Sequence, residues 1–321
     1  MIEVQHLTKK YGKHLALDDL SFTIEKGQIY GFLGPNGAGK STTMNIMTGY
    51  ISATSGEVLI DGHSILDEPE KAKKSIGYLP EIPPLYLDMT VMEYLKFVAE
   101  LKKIPKDKRS AEVRKASTLV KLNDVSNRLI RNLSKGYKQR TGLAAAVLGF
   151  PDIIILDEPT VGLDPKQIIE IRQLIRKLAK DHTVILSSHI LAEVQEICDY
   201  VLIISKGKLV GSGTPEELEE LSHGKDSIEL TVKSDADTIQ SVLDRIDGIQ
   251  NVTWRNQGAG SCDLLVDTSK SAQEVCEDIS IAFATERIPV TRINILKATL
   301  EDIFLELTES SQKDEEGETK R

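Results

Sequence analysis

Cysteine is scarce in this chain. Only Cys198, Cys262 and Cys276 occur, with no CxxC pair and one left over, which argues against a disulfide framework and suits reduced, mostly buried thiols of a cytosolic protein. Long apolar runs are missing too. The longest, at 143–150 and 153–156, fall far short of the roughly 20 residues that a membrane-spanning helix needs. The charged, alternating opening at 1–7 is not that of a signal peptide, so any service to a membrane is expected to be peripheral. Nor is there an excess of positive charge. A net charge of −9 argues against a nucleic-acid groove, because neutralising phosphates takes clustered Lys and Arg. A basic run such as Lys102, Lys103, Lys106, Lys108 and Arg109 reads as a solvated helix end and loop. What is present, 321 residues with 40% hydrophobic and 28% charged, suffices for one large or two ordinary domains with real cores.

The first two-thirds alternate strand-like and helix-like runs. Residues 28–33 form a short apolar run ending in a Gly-rich turn, and 40–48 then carry Met44, Ile46 and Met47 at helical spacing. Residues 153–156 are all apolar, as in a strand covered on both faces. Residues 166–180 put Ile168, Ile171, Leu174, Ile175 and Leu178 on one helical stripe, 183–186 form another buried strand, and 190–198 an amphipathic helix. Such alternation predicts an α/β sheet with helices on both faces. Thr214-Pro215-Glu216-Glu217 opens a helix with a capping threonine, and 222–226 read as a linker. Beyond it, strands at 228–232, 252–255, 262–266 and 290–296 and helices at 237–246 and 272–284 follow the β-α-β-β-α-β order of a split ferredoxin-like unit, with a turn at 256–261. A last amphipathic helix is expected at 299–308, then a polar tail.

Gly34-Pro35-Asn36-Gly37-Ala38-Gly39-Lys40-Ser41, followed by Thr42, satisfies GxxxxGK[ST] between a strand and a helix. Its glycines let backbone N–H groups point at phosphates, and the helix N-terminus adds partial positive charge. Lys40 would reach the β- and γ-phosphates, and the Ser41 hydroxyl would ligate Mg²⁺. Asp157 and Glu158 end the apolar strand at 153–156. Asp157 can hold the Mg²⁺ shell, and Glu158 can polarise an attacking water as a general base. No NKxD run for guanine occurs, so ATP is the expected nucleotide.

Leu133-Ser134-Lys135-Gly136-Tyr137-Lys138-Gln139-Arg140, taken with those two motifs, resembles the signature of ABC-type ATPases, normally LSGGQ. The rest of the family's pattern falls into order. Tyr11 stands where an adenine-stacking aromatic is expected, Gly162-Leu163-Asp164 resembles the D-loop, and Ser187-Ser188-His189 the switch-histidine motif that contacts the γ-phosphate. The resemblance runs through residues 1–221. It implies an α/β fold: a P-loop ABC ATPase domain over 1–222, with a parallel core sheet, an antiparallel β subdomain and a helical subdomain. A small α+β ferredoxin-like domain over 227–308 and a disordered tail over 309–321 complete the expected chain.

The same resemblance implies the chemistry. Ser134 and Gly136 would cap the γ-phosphate of ATP held by the phosphate loop of a second ATPase chain, so each chain carries half of each site. ATP and Mg²⁺ are the expected ligands, with Ser41, Asp157 and Glu81 around the metal. Integral membrane permease subunits are the expected partners at the cytoplasmic face of the membrane, docking on the helical stretch 83–121. Two motifs depart from the family: Lys135 and Tyr137 replace the usual glycine and glutamine of the signature, and Glu81 replaces the usual glutamine of the Q-loop. Lys135 is expected to add charge near the γ-phosphate across the interface. Residues 298–304 resemble the end of ATPases serving drug, antibiotic and gliding-motility-type exporters. Non-transport members carry coiled coils, zinc sites or a second ATPase unit, none of which is evident, and Glu158 with His189 argues against a regulatory module that binds ATP without hydrolysing it.

Overall fold

Residues 1–220, 227–258, 260–296 and 304 are described by a computed structural model. They form two compact units that part between Pro215 and Glu216. The first contains β1 (Ile2–Tyr11), β2 (His14–Ile24), β3 (Ile29–Leu33), α1 (Lys40–Met47), β4 (Ser55–Ile60), β5 (His63–Ser64), α2 (Pro69–Lys74) and β6 (Ile76–Leu79). Three helices follow, α3 (Val91–Leu101), α4 (Lys106–Leu119) and α5 (Lys135–Val147). Then come β7 (Ile153–Leu156), α6 (Pro165–Leu178), β8 (Thr183–Ser188), α7 (Leu191–Ile197), β9 (Tyr200–Ser205) and β10 (Lys208–Gly213). Helix α8 (Pro215–Glu220) begins at the break.

The main sheet has the order β10-β9-β3-β8-β7-β6. Its last five strands run parallel, and β10 closes one edge antiparallel. Every residue of β3, β7 and β8 is buried, which is why the sequence shows unbroken apolar runs there instead of alternation. The register pairs Leu33 with Ser188 and Leu156 with Leu186, so the carboxyl ends of the three central strands stand side by side. A second, antiparallel sheet, β2-β1-β4-β5, shares its core with the first. Phe22 of β2 meets Phe32 of β3 edge-on at 5.2 Å, inside a cluster that includes Met44, Met47, Val58 and Ile155. The expected parallel sheet, antiparallel sheet and helical region are all present.

Helix α3 starts at Val91 because Thr90 and Glu93 form a reciprocal cap. The Glu93 carboxylate accepts from the Thr90 backbone N–H at 2.8 Å, and Thr90 Oγ1 accepts from the Glu93 N–H at 3.3 Å. The basic run after α3 is not uniformly solvated. Lys102 is exposed as a residue, but its ammonium donates to the carbonyls of Ala146 at 2.7 Å and Leu148 at 2.8 Å, where α5 ends. Enclosure of that ammonium pushes its pKa down to about 8. Sequence spacing could not reveal that a lysine in a charged run caps a distant helix.

The second unit contains β11 (Ser227–Val232), α9 (Ala236–Leu243), β12 (Ile249–Gly258), β13 (Ser261–Thr268), α10 (Ala272–Thr285) and β14 (Val290–Leu296). Its antiparallel sheet has the order β12-β13-β11-β14, the ferredoxin-like arrangement that the element order predicts. Alternation puts Ile228, Leu230 and Val232 of β11 and Cys262, Leu264 and Val266 of β13 into a core with Ile239, Ile279 and Phe283. The hairpin strands run on to Gly258 and Ser261, so the turn is tighter than the sequence suggests. The expected linker at 222–226, the tail, and all of the helix expected at 299–308 except Phe304 lie outside the described residues.

Gly77 of β6 faces α5 so closely that an added Cβ would strike the carbonyl oxygen of Ala146 and lie 3.0 Å from its carbon. Gly77→Ala is therefore expected to destabilise the first unit by about 1–3 kcal/mol through overpacking. The urea midpoint, followed by tryptophan-independent far-UV circular dichroism, checks it; an unchanged midpoint contradicts the close approach.

Candidate functional site

The chain leaves β3 at Leu33 and turns through Gly34, Pro35, Asn36, Gly37 and Ala38 into α1, with Gly39 as the N-cap residue at φ 110°. A Cβ on Gly39 would lie 2.7 Å from Leu17 Cδ2 and 2.9 Å from the Ala16 carbonyl oxygen. Only glycine lets the helix begin this close to β2. Lys40 is buried at 6% exposure. Its ammonium donates to the carbonyls of Gly34 at 2.8 Å and Pro35 at 3.3 Å, and lies 3.7 Å from Glu158 Oε1. Burial lowers its pKa, while the carboxylates of Glu158 and Asp157 pull it back up. Loop carbonyls and a carboxylate thus hold a cation whose partners a phosphate oxygen can replace.

Asp157 and Glu158 follow β7 directly and are both buried. Asp157 Oδ1 accepts from Ser41 Oγ at 3.1 Å and from Ser187 Oγ at 2.6 Å. Ser187 Oγ in turn accepts from the Glu158 backbone N–H at 2.8 Å. Glu158 has φ 48°, a left-handed backbone costing a non-glycine residue about 1–3 kcal/mol, of the kind concentrated at functional sites. His189, one residue past β8, places Nδ1 3.1 and 3.0 Å from the two carboxylate oxygens of Glu158.

These residues surround a cavity of about 500 Å³. Of the residues singled out in the sequence, it brings together Tyr11, Asn36, Gly37, Ala38, Gly39, Lys40, Ser41, Thr42, Glu81, Glu158 and His189, and adds His14, Ala16 and Val161. Gly34 and Pro35 sit behind it as acceptors for Lys40, and Asp157 reaches it through Ser41. Ser134 and Gly136 are not part of it. Ser134 caps α5, accepting from the Tyr137 N–H at 3.4 Å, and Gly136 packs directly against the Gln167 side chain of α6. The Lys135 ammonium rests against Gly162 of the same chain. A larger cavity of about 910 Å³, lined by Arg114, Lys115, Lys177 and Lys180 among others, holds none of the motif residues.

Four polar residues of this region carried no role in the sequence reading. Ser187 links Asp157 to Glu158, and its only sequence signal was its place in the SSH run. Thr160, Arg172 and Glu193 converge behind the site, and nothing in their spacing announces it.

A family model described as "ABC transporter" matches residues 17–161. The uncharacterised ABC transporter ATP-binding protein YhcH of Bacillus subtilis (strain 168) is 34% identical over 326 aligned positions, covering 100% of this chain and 97% of the relative. The bacitracin transport ATP-binding protein BcrA of Bacillus licheniformis is 41% identical over 212, covering 65% of this chain and 68% of the relative. Among solved structures, a dimeric ATP-binding cassette in a post-hydrolysis state bound to ADP and Pi superposes with a TM-score of 0.61 at 26% identity, over 67% of this chain and 98% of the other. With a relative matched along nearly its whole length, the chain belongs to the ABC transporter family, as one of its ATP-binding, ATP-hydrolysing subunits.

Proposed function

We propose that this chain is the motor of an exporter: two ATPase chains close on MgATP, hydrolyse it, and drive separate integral membrane permease subunits from the cytoplasmic face. The observation that carries this reading is the division of the site. Within one chain the phosphate loop, Glu158 and His189 share a cavity, while Ser134 and Gly136 lie at the start of another helix outside it. A γ-phosphate between two helix N-termini, one from each chain, is well neutralised, whereas ADP leaves the far side unpaired. The likeness to a dimeric cassette supports the pairing, and the bacitracin transport relative supports export of an antibiotic-like substrate. The peripheral location agrees with the described residues, among which no helix is long and apolar enough to cross a membrane.

Roles follow from position. Tyr11 stacks the adenine; Asn36 to Thr42 and Lys40 bind the phosphates. Ser41 and Asp157 suit Mg²⁺, whose habit is one or two protein oxygens with waters and phosphate making up the rest, and their oxygens are 3.1 Å apart. Glu81 lines the same cavity with a further hard oxygen. Bound there, Mg²⁺ would neutralise phosphate charge. Glu158 accepts the proton of the attacking water, and His189, beside both its oxygens, orients it and contacts the γ-phosphate. Permease docking is assigned to the surface after β6, where Ile82, Tyr86 and Leu87 are exposed at 82%, 55% and 49%. Residues 227–308 are assigned as an accessory domain of the exporter branch.

Glu158→Gln is expected to slow phosphate release by about 100-fold or more and to accumulate an ATP-bound dimer in gel filtration; a variant turning over at the wild-type rate removes Glu158 as the base. The split site makes a sharper forecast. Lys40→Ala and Ser134→Ala chains should each be inactive alone, yet regain ATPase activity when mixed, because each mixed dimer holds one site with an intact phosphate loop and an intact signature. No recovery on mixing means that the site is complete within one chain. Glu81→Gln should keep substantial activity, since the amide oxygen can still face the metal; an inactive variant makes the carboxylate itself necessary.

A further inference from the structure

Glu193 lies on α7, four residues past His189, and is 3% exposed. A carboxylate so buried is costly unless its oxygens are held; here Oε2 is hydrogen-bonded twice, while Oε1 has no hydrogen bond and is met only by an ion-pair contact. Oε2 accepts from Thr160 Oγ1 at 2.7 Å and from Ser188 Oγ at 3.0 Å. Oε1 faces the Arg172 guanidinium of α6 at 3.6 Å, and Arg172 also pairs with Glu196. Thr160 and Ser188 are themselves 5% and 1% exposed.

The placement of the two hydroxyls is informative. Thr160 stands two residues after Glu158, and its carbonyl accepts from the Leu163 N–H at 3.1 Å. Ser188 immediately precedes His189 and also accepts from the Ile190 N–H at 3.0 Å. One carboxylate oxygen therefore grips both chain segments that carry the Glu158–His189 contact, from the side away from the cavity that those residues line. Glu158 needs such a brace, since its left-handed backbone persists only if its surroundings hold it there.

We propose that Glu193 is a positioning residue for hydrolysis: it fixes Glu158 and His189 relative to each other by clamping Thr160 and Ser188 against the Arg172 guanidinium. The proposal rests on the reading of Glu158 as base and His189 as its orienting partner. Glu193 does not line the cavity, so its removal should alter turnover and leave binding intact. Loss of an outer partner that orients a reacting group typically costs about 10- to 100-fold in activity.

The test uses the full-length chain with ATP, phosphate release, ADP affinity and thermal midpoint as readouts. Glu193→Ala is expected to lower kcat by about 10- to 100-fold, with KM and ADP affinity within about two-fold of wild type. Glu193→Gln, which retains an acceptor oxygen for the two hydroxyls, should recover part of that loss. Thr160→Val and Ser188→Ala should each lower kcat in the same selective way, which keeps the question decidable if Glu193→Ala folds poorly. In a Glu158→Gln background, Glu193→Ala should add no further loss, because it acts through Glu158. An unchanged kcat in Glu193→Ala overturns the proposal, as does a fall in kcat matched by equal losses of ADP affinity and thermal midpoint. Wild-type chain that releases no phosphate would instead overturn the motor reading itself, so the two failures are distinct.

Discussion

One carboxylate oxygen, Asp157 Oδ1, accepts from Ser41 at the start of α1 and from Ser187 near the end of β8. Because Asp157 itself extends β7, that single atom joins the ends of three neighbouring strand–loop units. The parallel register makes the junction possible. Pairing Leu33 with Ser188, and Leu156 with Leu186, leaves the loop, the carboxylates and the histidine on one edge of the sheet. A slip of one residue would send each side chain to the opposite face. The burial of β3, β7 and β8 on both faces prevents it, since every residue of those strands is already packed.

The same edge concentrates buried charge. Lys40, Asp157 and Glu158 are all nearly inaccessible, and each would be costly alone. Together they compensate: the lysine reaches loop carbonyls and Glu158, the aspartate takes two hydroxyls, and Glu158 adds His189. The arrangement is close-knit but built of exchangeable hydrogen bonds, which suits a site whose anionic ligand comes and goes.

Much of this could be read from the chain itself. The run GPNGAGKS is local, and local chemistry is visible in sequence: its glycines answer to backbone angles and its lysine to charge. Strand 153–156 matches its expected bounds because a fully buried run leaves a strong pattern, and strand 290–296 matches its bounds too, although its burial does not alternate. Contacts between distant segments leave none. Nothing local marks Glu193 or Thr160, and Lys102 reads in sequence as one more solvated cation. Their significance lies in which segment folds against which, and a list of residues does not encode that directly. The turn expected at 256–261 is tighter in the structure for a related reason. Polar residues such as Asn256 and Gln257 continue a strand when cross-strand pairing with Asp263 and Cys262 holds them there.

The Lys102 ammonium ties together two helices. It follows α3 directly and seizes the last carbonyls of α5, while Ser134 forms the opposite tip of that same helix. Thirteen residues of α5 span about 20 Å at the usual rise per residue. With the C-terminal carbonyls of α5 held by Lys102, the end of α3 and the cap Ser134 are joined through one continuous helix. A surface lysine thereby connects one side of the helical region to the signature serine at the other.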